Sequence, residues 1–370
     1  MSTNTANINS SLANYDRRKE LEEFDNTKLG VKGLVDSGIT QIPRIFHHPL
    51  DTLFHLSRGT QQVDSDHDLI PVIDLSGWQP KIVKQIRDAA AKLGFFQVIN
   101  HGVSVPMLDH LIDVIKSFHE LPPEEKIPHY RRDTTTCCSG GVGFYSNFDL
   151  FQSDAASWRD TLEVRLDHFD TKSLPDVCRK EVIEWDEEAK QLGLRLMRLL
   201  SEGLGLSKNR LEEMSCIRRR LMVGQYYPHC PEPDKTVGIT AHTDLETLTI
   251  LLQDEKGGLQ VNFQGEWVDV KPVHGALVIS IGDTLQMISN GEYKSGEHRV
   301  FANDQREPRV SVAVFFDPAI SEDVYGPLPE LVSSEKPALY QQFKFSDVLE
   351  KGLDTGLEGE GNYTINYFRL

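Results

Sequence analysis

Two histidines and one aspartate have the residue types and part of the spacing of a metal-binding site. His242 and Asp244 are separated by one residue and precede an apolar run over residues 245–252. In an extended segment, side chains two positions apart face the same way, so both can point into a barrel. His298 is the candidate third ligand, from a different strand. Two imidazoles and one carboxylate on one face leave coordination positions open, which is typical of non-haem Fe(II) sites.

The His-x-Asp spacing carries no information on its own. With 13 histidines and 56 acidic residues among 370, such triplets are expected by chance, and a second one occurs at His168 and Asp170. That triplet lies in an acidic loop without a following strand, whereas His242 directly precedes a strand-like run. The interpretation therefore depends on the surrounding pattern and on further ligands.

Arg309 and Ser311 have the chemistry of a carboxylate-binding pair. They are again two positions apart in an extended run, so they share a face. A guanidinium can bind a carboxylate through two parallel hydrogen bonds, and a hydroxyl adds a third. The pair lies shortly after His298, in the last predicted core strand. A keto acid held there could bind a metal ion with its other end.

The elements that must position these residues change in period along the chain. Apolar residues at helical spacing predict helices over 80–93, 106–119 and 176–203. After Ile217 the period becomes two, and turn signals occur at Gln264-Gly265 and Asn290-Gly291. The predicted strands are 70–75, 95–100 and 162–166 in the first half, then 221–227, 247–253, 259–263, 267–271, 276–281, 298–301 and 310–316.

This order predicts a mainly β fold with flanking helices, whose core is a double-stranded β-helix (jelly roll). Residues 1–69 are expected to form an N-terminal arm, partly disordered and then helical. Residues 70–205 form a mixed α/β region, residues 206–325 the jelly-roll core, and residues 326–370 a helical tail.

Composition narrows the partners and the compartment. The net charge of -17 argues against nucleic acid or an anionic membrane as a partner. The five cysteines form no Cys-x-x-Cys pair, which favours a reducing compartment. Neither a signal peptide nor an apolar run long enough to cross a bilayer is recognisable. We therefore expect a cytoplasmic monomer that acts on a small molecule.

Several motifs in fixed order resemble the plant 2-oxoglutarate- and Fe(II)-dependent dioxygenase superfamily. They span about residues 70–320. The stretch 24–38 is similar to the branch of 1-aminocyclopropane-1-carboxylate oxidase homologues. The matching motifs are Ile70-Pro71-Val72-Ile73-Asp74-Leu75, Gly94-Phe95-Phe96-Gln97-Val98-Ile99-Asn100-His101-Gly102, Tyr226-Tyr227-Pro228, His242-Thr243-Asp244, Gly296-Glu297-His298-Arg299-Val300 and Arg309-Val310-Ser311.

The resemblance implies a cofactor and a reaction. Fe(II) would be the metal, 2-oxoglutarate and O2 the cosubstrates, and ascorbate the reductant. The products would be succinate, CO2 and a hydroxylated specialised metabolite. Members of this branch act on hydrophobic plant metabolites, and a steroidal alkaloid is one hypothesis for the substrate.

The resemblance also implies roles for individual residues. His242, Asp244 and His298 match the iron ligands, Arg309 and Ser311 the 2-oxoglutarate carboxylate site, and Tyr227 a tyrosine that supports this cosubstrate. Gln225 departs from the family pattern, which has Asn there. The aromatic residues expected to line the substrate pocket are Phe144, Tyr145, Phe148 and Phe315.

Two alternatives remain beside this interpretation. One is an ascorbate-dependent oxidase like 1-aminocyclopropane-1-carboxylate oxidase itself, which uses no 2-oxoglutarate. The other is a metabolite-binding protein that keeps the fold without turnover. The N-terminal arm argues against the first alternative, and the complete set of three ligands argues against the second.

Overall fold

The computed structural model describes residues 15–54, 69–132, 141–167, 170–319, 322–355 and 363–370, and its core is a jelly roll of two sheets. An eight-stranded sheet has the order β1-β2-β10-β7-β12-β5-β4-β3, and a four-stranded sheet has the order β6-β11-β8-β9. The strands are β1 (Val72–Asp74), β2 (Phe95–Ile99), β3 (Val142–Tyr145), β4 (Asp160–Arg165), β5 (Arg219–Tyr227), β6 (Val237–His242), β7 (Leu248–Gln253), β8 (Leu259–Phe263), β9 (Glu266–Asp269), β10 (Leu277–Ile281), β11 (His298–Phe301), β12 (Arg309–Asp317), β13 (Val324–Tyr325) and β14 (Phe343–Lys344).

Helices cover the outer face of the larger sheet and form both ends of the described chain. Three of them, α4, α5 and α7, agree with the predicted helices to within a few residues. The helices are α1 (Arg17–Thr27), α2 (Gly30–Asp36), α3 (Leu50–Phe54), α4 (Gln79–Lys92), α5 (Val105–His119), α6 (Pro123–Lys126), α7 (Arg179–Gly203), α8 (Arg210–Glu213), α9 (Asp283–Ile288) and α10 (Phe345–Thr355).

The main hydrophobic core joins the predicted regions. Its buried members include Ile86 of α4, Trp185 of α7, Val312 of β12 and Phe345 of α10. Strands from 70–205 and from 206–325 also share the larger sheet. The mixed α/β region, the jelly roll and the tail therefore fold around one core.

A second apolar cluster lies between the two sheets. It contains Phe95 and Val278 from the larger sheet, and Val261 and Val300 from the smaller one. Burial of these side chains holds the sheets together, because the hydrophobic effect favours removing apolar area from water. This cluster forms one wall of the interior in which the candidate ligands lie.

The N-terminal arm packs on the edge of the jelly roll. Phe46 contacts Trp158 with ring centroids 4.9 Å apart and at a steep angle, a favourable aromatic geometry. The buried carboxylate of Asp160 accepts hydrogen bonds from the backbone N–H groups of Val31 and Lys32, at 2.7 and 2.8 Å. The arm is therefore bound at two neighbouring positions, one apolar and one polar.

The structure corrects two details of the predicted elements. Gln264-Gly265 does form the tight turn between β8 and β9, with positive φ at both residues. Asn290-Gly291, however, follows helix α9 instead of joining two strands. Strand β6, which ends at His242, was absent from the predicted strands. Within the described residues, none of the helices has the length and apolar character needed to span a bilayer.

Candidate active site

Strand pairing brings the three candidate metal ligands together. His242 ends β6, His298 begins β11, and these two residues are partners in the antiparallel register. Asp244 follows in the connection to β7. Its Oδ1 atom lies 3.5 Å from Nε2 of His298 and 3.9 Å from Nε2 of His242. The three ligand atoms all lie within 4.8 Å of one another, so a single ion can contact them.

Hydrogen bonds fix the orientation of both imidazoles. Nδ1 of His242 lies 2.8 Å from the carbonyl oxygen of Thr240, and Nδ1 of His298 lies 3.1 Å from that of Gly296. A carbonyl can only accept, so each Nδ1 carries the hydrogen and each Nε2 has a free lone pair. Metal-bound histidines in proteins have this same outer support.

The orientation of the Asp244 carboxylate and the protonation state of His242 also fit a metal ion. Thr249 donates its hydroxyl hydrogen to Oδ2 of Asp244 at 2.7 Å, which leaves Oδ1 directed toward the histidines. Loss of hydration, and then the charge of neighbouring His298, lower the pKa of His242. The neutral imidazole that binds a metal is therefore the favoured form.

A buried arginine lies on the opposite sheet. Arg309 is 2% exposed, and its guanidinium donates to the carbonyl of Gly257, to Oγ of Ser311 and to Oε1 of Gln253. All of these acceptors are neutral. Among the described residues, no carboxylate forms an ion pair with Arg309. A buried cation that lacks an anion is suited to an anionic ligand.

Tyr227 and Gln225 support this arginine from the neighbouring strand. Tyr227 pairs with Arg309 across β5 and β12, and the guanidinium lies 4.8 Å from the centre of its ring. Gln225 pairs with Ser311 and accepts a hydrogen bond from the hydroxyl of Thr161 at 2.8 Å. The side-chain carbonyl of Gln225 is thus engaged.

The metal ligands and the arginine line the same cavity. Most of the lining is apolar, and the polar side chains are grouped at the two sites just described. The lining residues are Phe95, Val223, Gln225, Tyr227, Ile239, His242, Asp244, Thr249, Leu251, Leu259, Val278, Ser280, His298, Val300, Arg309, Ser311, Ala313 and Phe315.

The four predicted pocket aromatics have different positions. Phe315 lines the cavity. Phe144 is fully buried on the helix side of β3, with its ring centroid 5.9 Å from that of Phe118. Tyr145 faces the other way, and its hydroxyl donates to Glu163 at 2.5 Å. Phe148 is half-buried and, like the other two, does not belong to the lining within the described residues.

The chance triplet and a structural histidine can also be located. His168 lies outside the described residues, whereas Asp170 caps a short turn through the backbone N–H of Lys172. His101 is hydrogen bonded to the carbonyl of Gly275 and to the N–H of Val103, a structural role.

Sequence reasoning missed Thr249 and Gln253. Polar residues at alternate positions of an otherwise apolar strand were the available signal.

A jelly roll with this interior is the architecture of a non-haem Fe(II) oxygenase that uses an oxo acid. The family model of the 2OG-Fe(II) oxygenase superfamily matches residues 219–318. A second family model, for the N-terminal region of the non-haem dioxygenase in morphine synthesis, matches residues 70–182. The chain belongs to the 2OG-Fe(II) oxygenase superfamily and is a dioxygenase that depends on Fe(II) and 2-oxoglutarate.

Its relatives agree with the predicted branch. 1-Aminocyclopropane-1-carboxylate oxidase homolog 4 of Arabidopsis thaliana is 47% identical over 335 residues, which cover 88% of this chain and 92% of the relative. Homolog 11 of the same plant is 43% identical, and the match covers 96% of this chain and 98% of the relative. The crystal structure of JOX2 in complex with 2OG, Fe and JA is 30% identical, with a TM-score of 0.80 over 92% of this chain and 97% of that chain. The dioxygenase for auxin oxidation in rice is 26% identical, with a TM-score of 0.66, and the match covers 81% of this chain and 100% of that chain.

Proposed function

We propose that the protein hydroxylates a hydrophobic specialised metabolite while 2-oxoglutarate and O2 are converted to succinate and CO2. One oxygen atom enters succinate and the other replaces the hydrogen of a C–H bond as a hydroxyl group. His242, Asp244 and His298 would hold Fe(II), which when bound supplies the oxidative chemistry. The single observation that carries the proposal is that this ligand set and Arg309 line one cavity, with the two histidines and the arginine on opposite sheets.

The proposed roles of the chain's own residues follow from their contacts. Arg309 and Ser311 would bind the distal carboxylate of 2-oxoglutarate, because the guanidinium is buried among neutral acceptors. Tyr227 would hold that guanidinium in place through its ring face. The apolar lining excludes water and accepts the carbon skeleton of the substrate.

The relatives support the same proposal. The solved JOX2 structure contains 2OG and Fe together with JA, and it is similar to this chain over nearly its whole length. The plant relatives are named as homologues of 1-aminocyclopropane-1-carboxylate oxidase. That oxidase uses ascorbate and no 2-oxoglutarate, so the name alone does not identify the cosubstrate of this chain. Within the described residues Arg309 has only neutral acceptors, and its planar guanidinium suits a carboxylate, which the oxo acid carries and ascorbate does not.

Assays of the purified full chain with Fe(II) test this directly. Steroid, flavonoid and benzoxazinoid panels, including steroidal alkaloids, are incubated with 2-oxoglutarate, and succinate and hydroxylated products are measured. We expect succinate formation that one substrate class stimulates. Oxygen consumption that requires ascorbate but yields no succinate would establish the oxidase alternative. Substrate binding without oxygen consumption would establish a binding protein.

A further inference from the structure

One serine in the cavity wall has a buried hydroxyl group without a partner. Ser280 of β10 is 4% exposed and belongs to the lining of the cavity. Within the described residues its hydroxyl makes no hydrogen bond, and no other lining residue has a buried side-chain polar atom in this state. A buried hydroxyl without a partner lowers stability, because it has lost its hydrogen bonds to water and gained none in return. Such a group is suited to a ligand that supplies the missing acceptor.

The alternation of side chains along β10 directs Ser280 into the cavity. Ile279 and Ile281 are buried in the main hydrophobic core. Val278 and Ser280 occupy the alternate positions and line the cavity. Because successive side chains of a strand face opposite sides of the sheet, the hydroxyl of Ser280 lies on the inner face. Strand β10 thus adds a polar group to a largely apolar wall.

Ser280 lies at the metal end of the cavity. It pairs with Thr249 of β7 on one side and with Phe95 of β2 on the other, and directly opposite residues of antiparallel strands have Cβ atoms about 5 Å apart. Thr249 donates to Oδ2 of Asp244 at 2.7 Å. The ring centroid of Phe95 lies 5.1 Å from that of His298. Both neighbours of Ser280 therefore contact a metal ligand, so its hydroxyl faces the space beside the metal site.

The distal carboxylate of 2-oxoglutarate lies too far away to be the missing acceptor. Phe315 is the residue of β12 that is level with Ser280, because both lie in register with Thr249. Ser311, which would bind the distal carboxylate, precedes Phe315 by four positions, roughly 13 Å along the strand. The other end of the cosubstrate carries the oxo group and the second carboxylate. That end must lie at the metal whichever primary substrate is bound.

We propose that Ser280 donates a hydrogen bond to the metal-end carboxylate of 2-oxoglutarate and so positions the oxo acid. The inference rests on the proposed function and adds a cosubstrate contact to it. The carboxylate supplies the acceptor that the hydroxyl lacks, and hydrogen bonds to an ionised acceptor are roughly twice as strong as neutral ones. With Arg309 and Ser311 at the distal carboxylate, the eight-stranded sheet would then hold both ends of the cosubstrate.

Titration of 2-oxoglutarate into the anaerobic full chain loaded with Fe(II), without any primary substrate, tests the proposal. Isothermal titration calorimetry measures the Kd. Ser280→Ala should raise it roughly 10-fold, through the loss of a hydrogen bond to a charged group. The ligand-free variant should be at least as stable as the wild type in urea unfolding, because the substitution removes an unsatisfied buried hydroxyl. A purely structural serine would give lower stability and an unchanged Kd.

Ser201→Ala is the matched control. Ser201 is fully buried in α7, outside the cavity lining, and its hydroxyl donates to the carbonyl oxygen of Ser207 at 2.6 Å. This variant should lose stability and keep the Kd for 2-oxoglutarate within twofold, as a rough bound for a remote site.

Two results would contradict the proposal, and they can be told apart. An unchanged Kd in Ser280→Ala, when the wild type binds 2-oxoglutarate, would refute only the role of Ser280 and would leave its hydroxyl to the primary substrate or to an ordered water molecule. A wild type that binds no 2-oxoglutarate would refute the proposed function and the contact with it.

Discussion

Thr249 donates its hydroxyl hydrogen to Oδ2 of Asp244 at 2.7 Å, and this bond leaves Oδ1 alone to face the two histidines. Thr249→Val keeps the shape of the side chain but removes the donor. Because groups that orient a metal ligand affect affinity, we expect the affinity for Fe(II) or Co(II) to fall roughly 10-fold. Metal titration followed by absorbance measures the change. Thr247→Val is the control: Thr247 donates to the carbonyl of Cys216, so it should lower stability without changing metal affinity.

Asp244→Ala should abolish turnover and weaken iron binding. The variant removes the only carboxylate in the ligand set, and two imidazoles alone hold a divalent ion poorly. Succinate formation and bound iron are the measurements. Asp170→Ala tests the second His-x-Asp triplet in parallel and should retain full activity. Normal activity of Asp244→Ala would remove Asp244 from the iron site.

Arg309→Lys should raise the KM for 2-oxoglutarate roughly 10- to 100-fold, through the loss of charged hydrogen bonds from a planar guanidinium. An ammonium group cannot reproduce that geometry. Initial rates of succinate formation at varied 2-oxoglutarate concentration measure the effect. Arg220→Lys, at the ion pair with Asp186, should leave this KM within twofold, as a rough bound for a remote site. An unchanged KM in Arg309→Lys would place the cosubstrate elsewhere.

Gly30→Ala should release the N-terminal arm. Gly30 has φ +69°, and a Cβ atom there would lie 2.3 Å from Oδ1 of Asp160. The strained backbone costs about 1–2 kcal/mol, and displacing the buried carboxylate from its two amide donors adds about 1–3 kcal/mol. Gly38→Ala is the control, with φ +79° but no atom within 4 Å of the new Cβ. Urea unfolding and limited proteolysis of the arm should show a larger loss for Gly30→Ala; equal losses would contradict the contact.

The same carboxylate should give the protein a pH-dependent stability. Burial, against the opposing effect of the two amide donors and Lys126, raises the pKa of Asp160 to about 6. The folded state therefore binds a proton more tightly than the unfolded chain, and the stabilisation is lost as pH rises from about 4 to about 6. The stability of the wild type relative to Asp160→Asn should fall by about 3 kcal/mol over that window. Urea unfolding of both proteins from pH 4 to pH 7 measures the difference, and a difference that rises with pH would show that the amide donors outweigh burial.

The sequence predicted the long helices because one face of each is polar. Helices α4, α5 and α7 have a clear period, since each packs one face on the core and turns a less apolar face outward. Helix α9 was missed because all six of its residues are buried, so no polar face marks its period. Its neighbour Asn290-Gly291 was consequently assigned to a strand connection.

The site was predictable to the extent that it depends on residues two apart in a strand. His242 with Asp244, and Arg309 with Ser311, were identified in this way. Period two does not say which face is the interior when both faces are buried, so Phe144 and Tyr145 could not be separated. The support of Asp244 by Thr249 arises from a contact between side chains of the folded chain and has no local signature.

The two histidines belong to the four-stranded sheet, whereas Arg309 and Ser311 belong to the eight-stranded one. In the proposed site, one cosubstrate molecule must reach both, so the thickness of the sandwich sets how long that molecule has to be. A dicarboxylate one carbon shorter or longer than 2-oxoglutarate would fit one end and miss the other. Substitutions in the apolar cluster between the sheets, far from any catalytic group, could thus change which oxo acid is used.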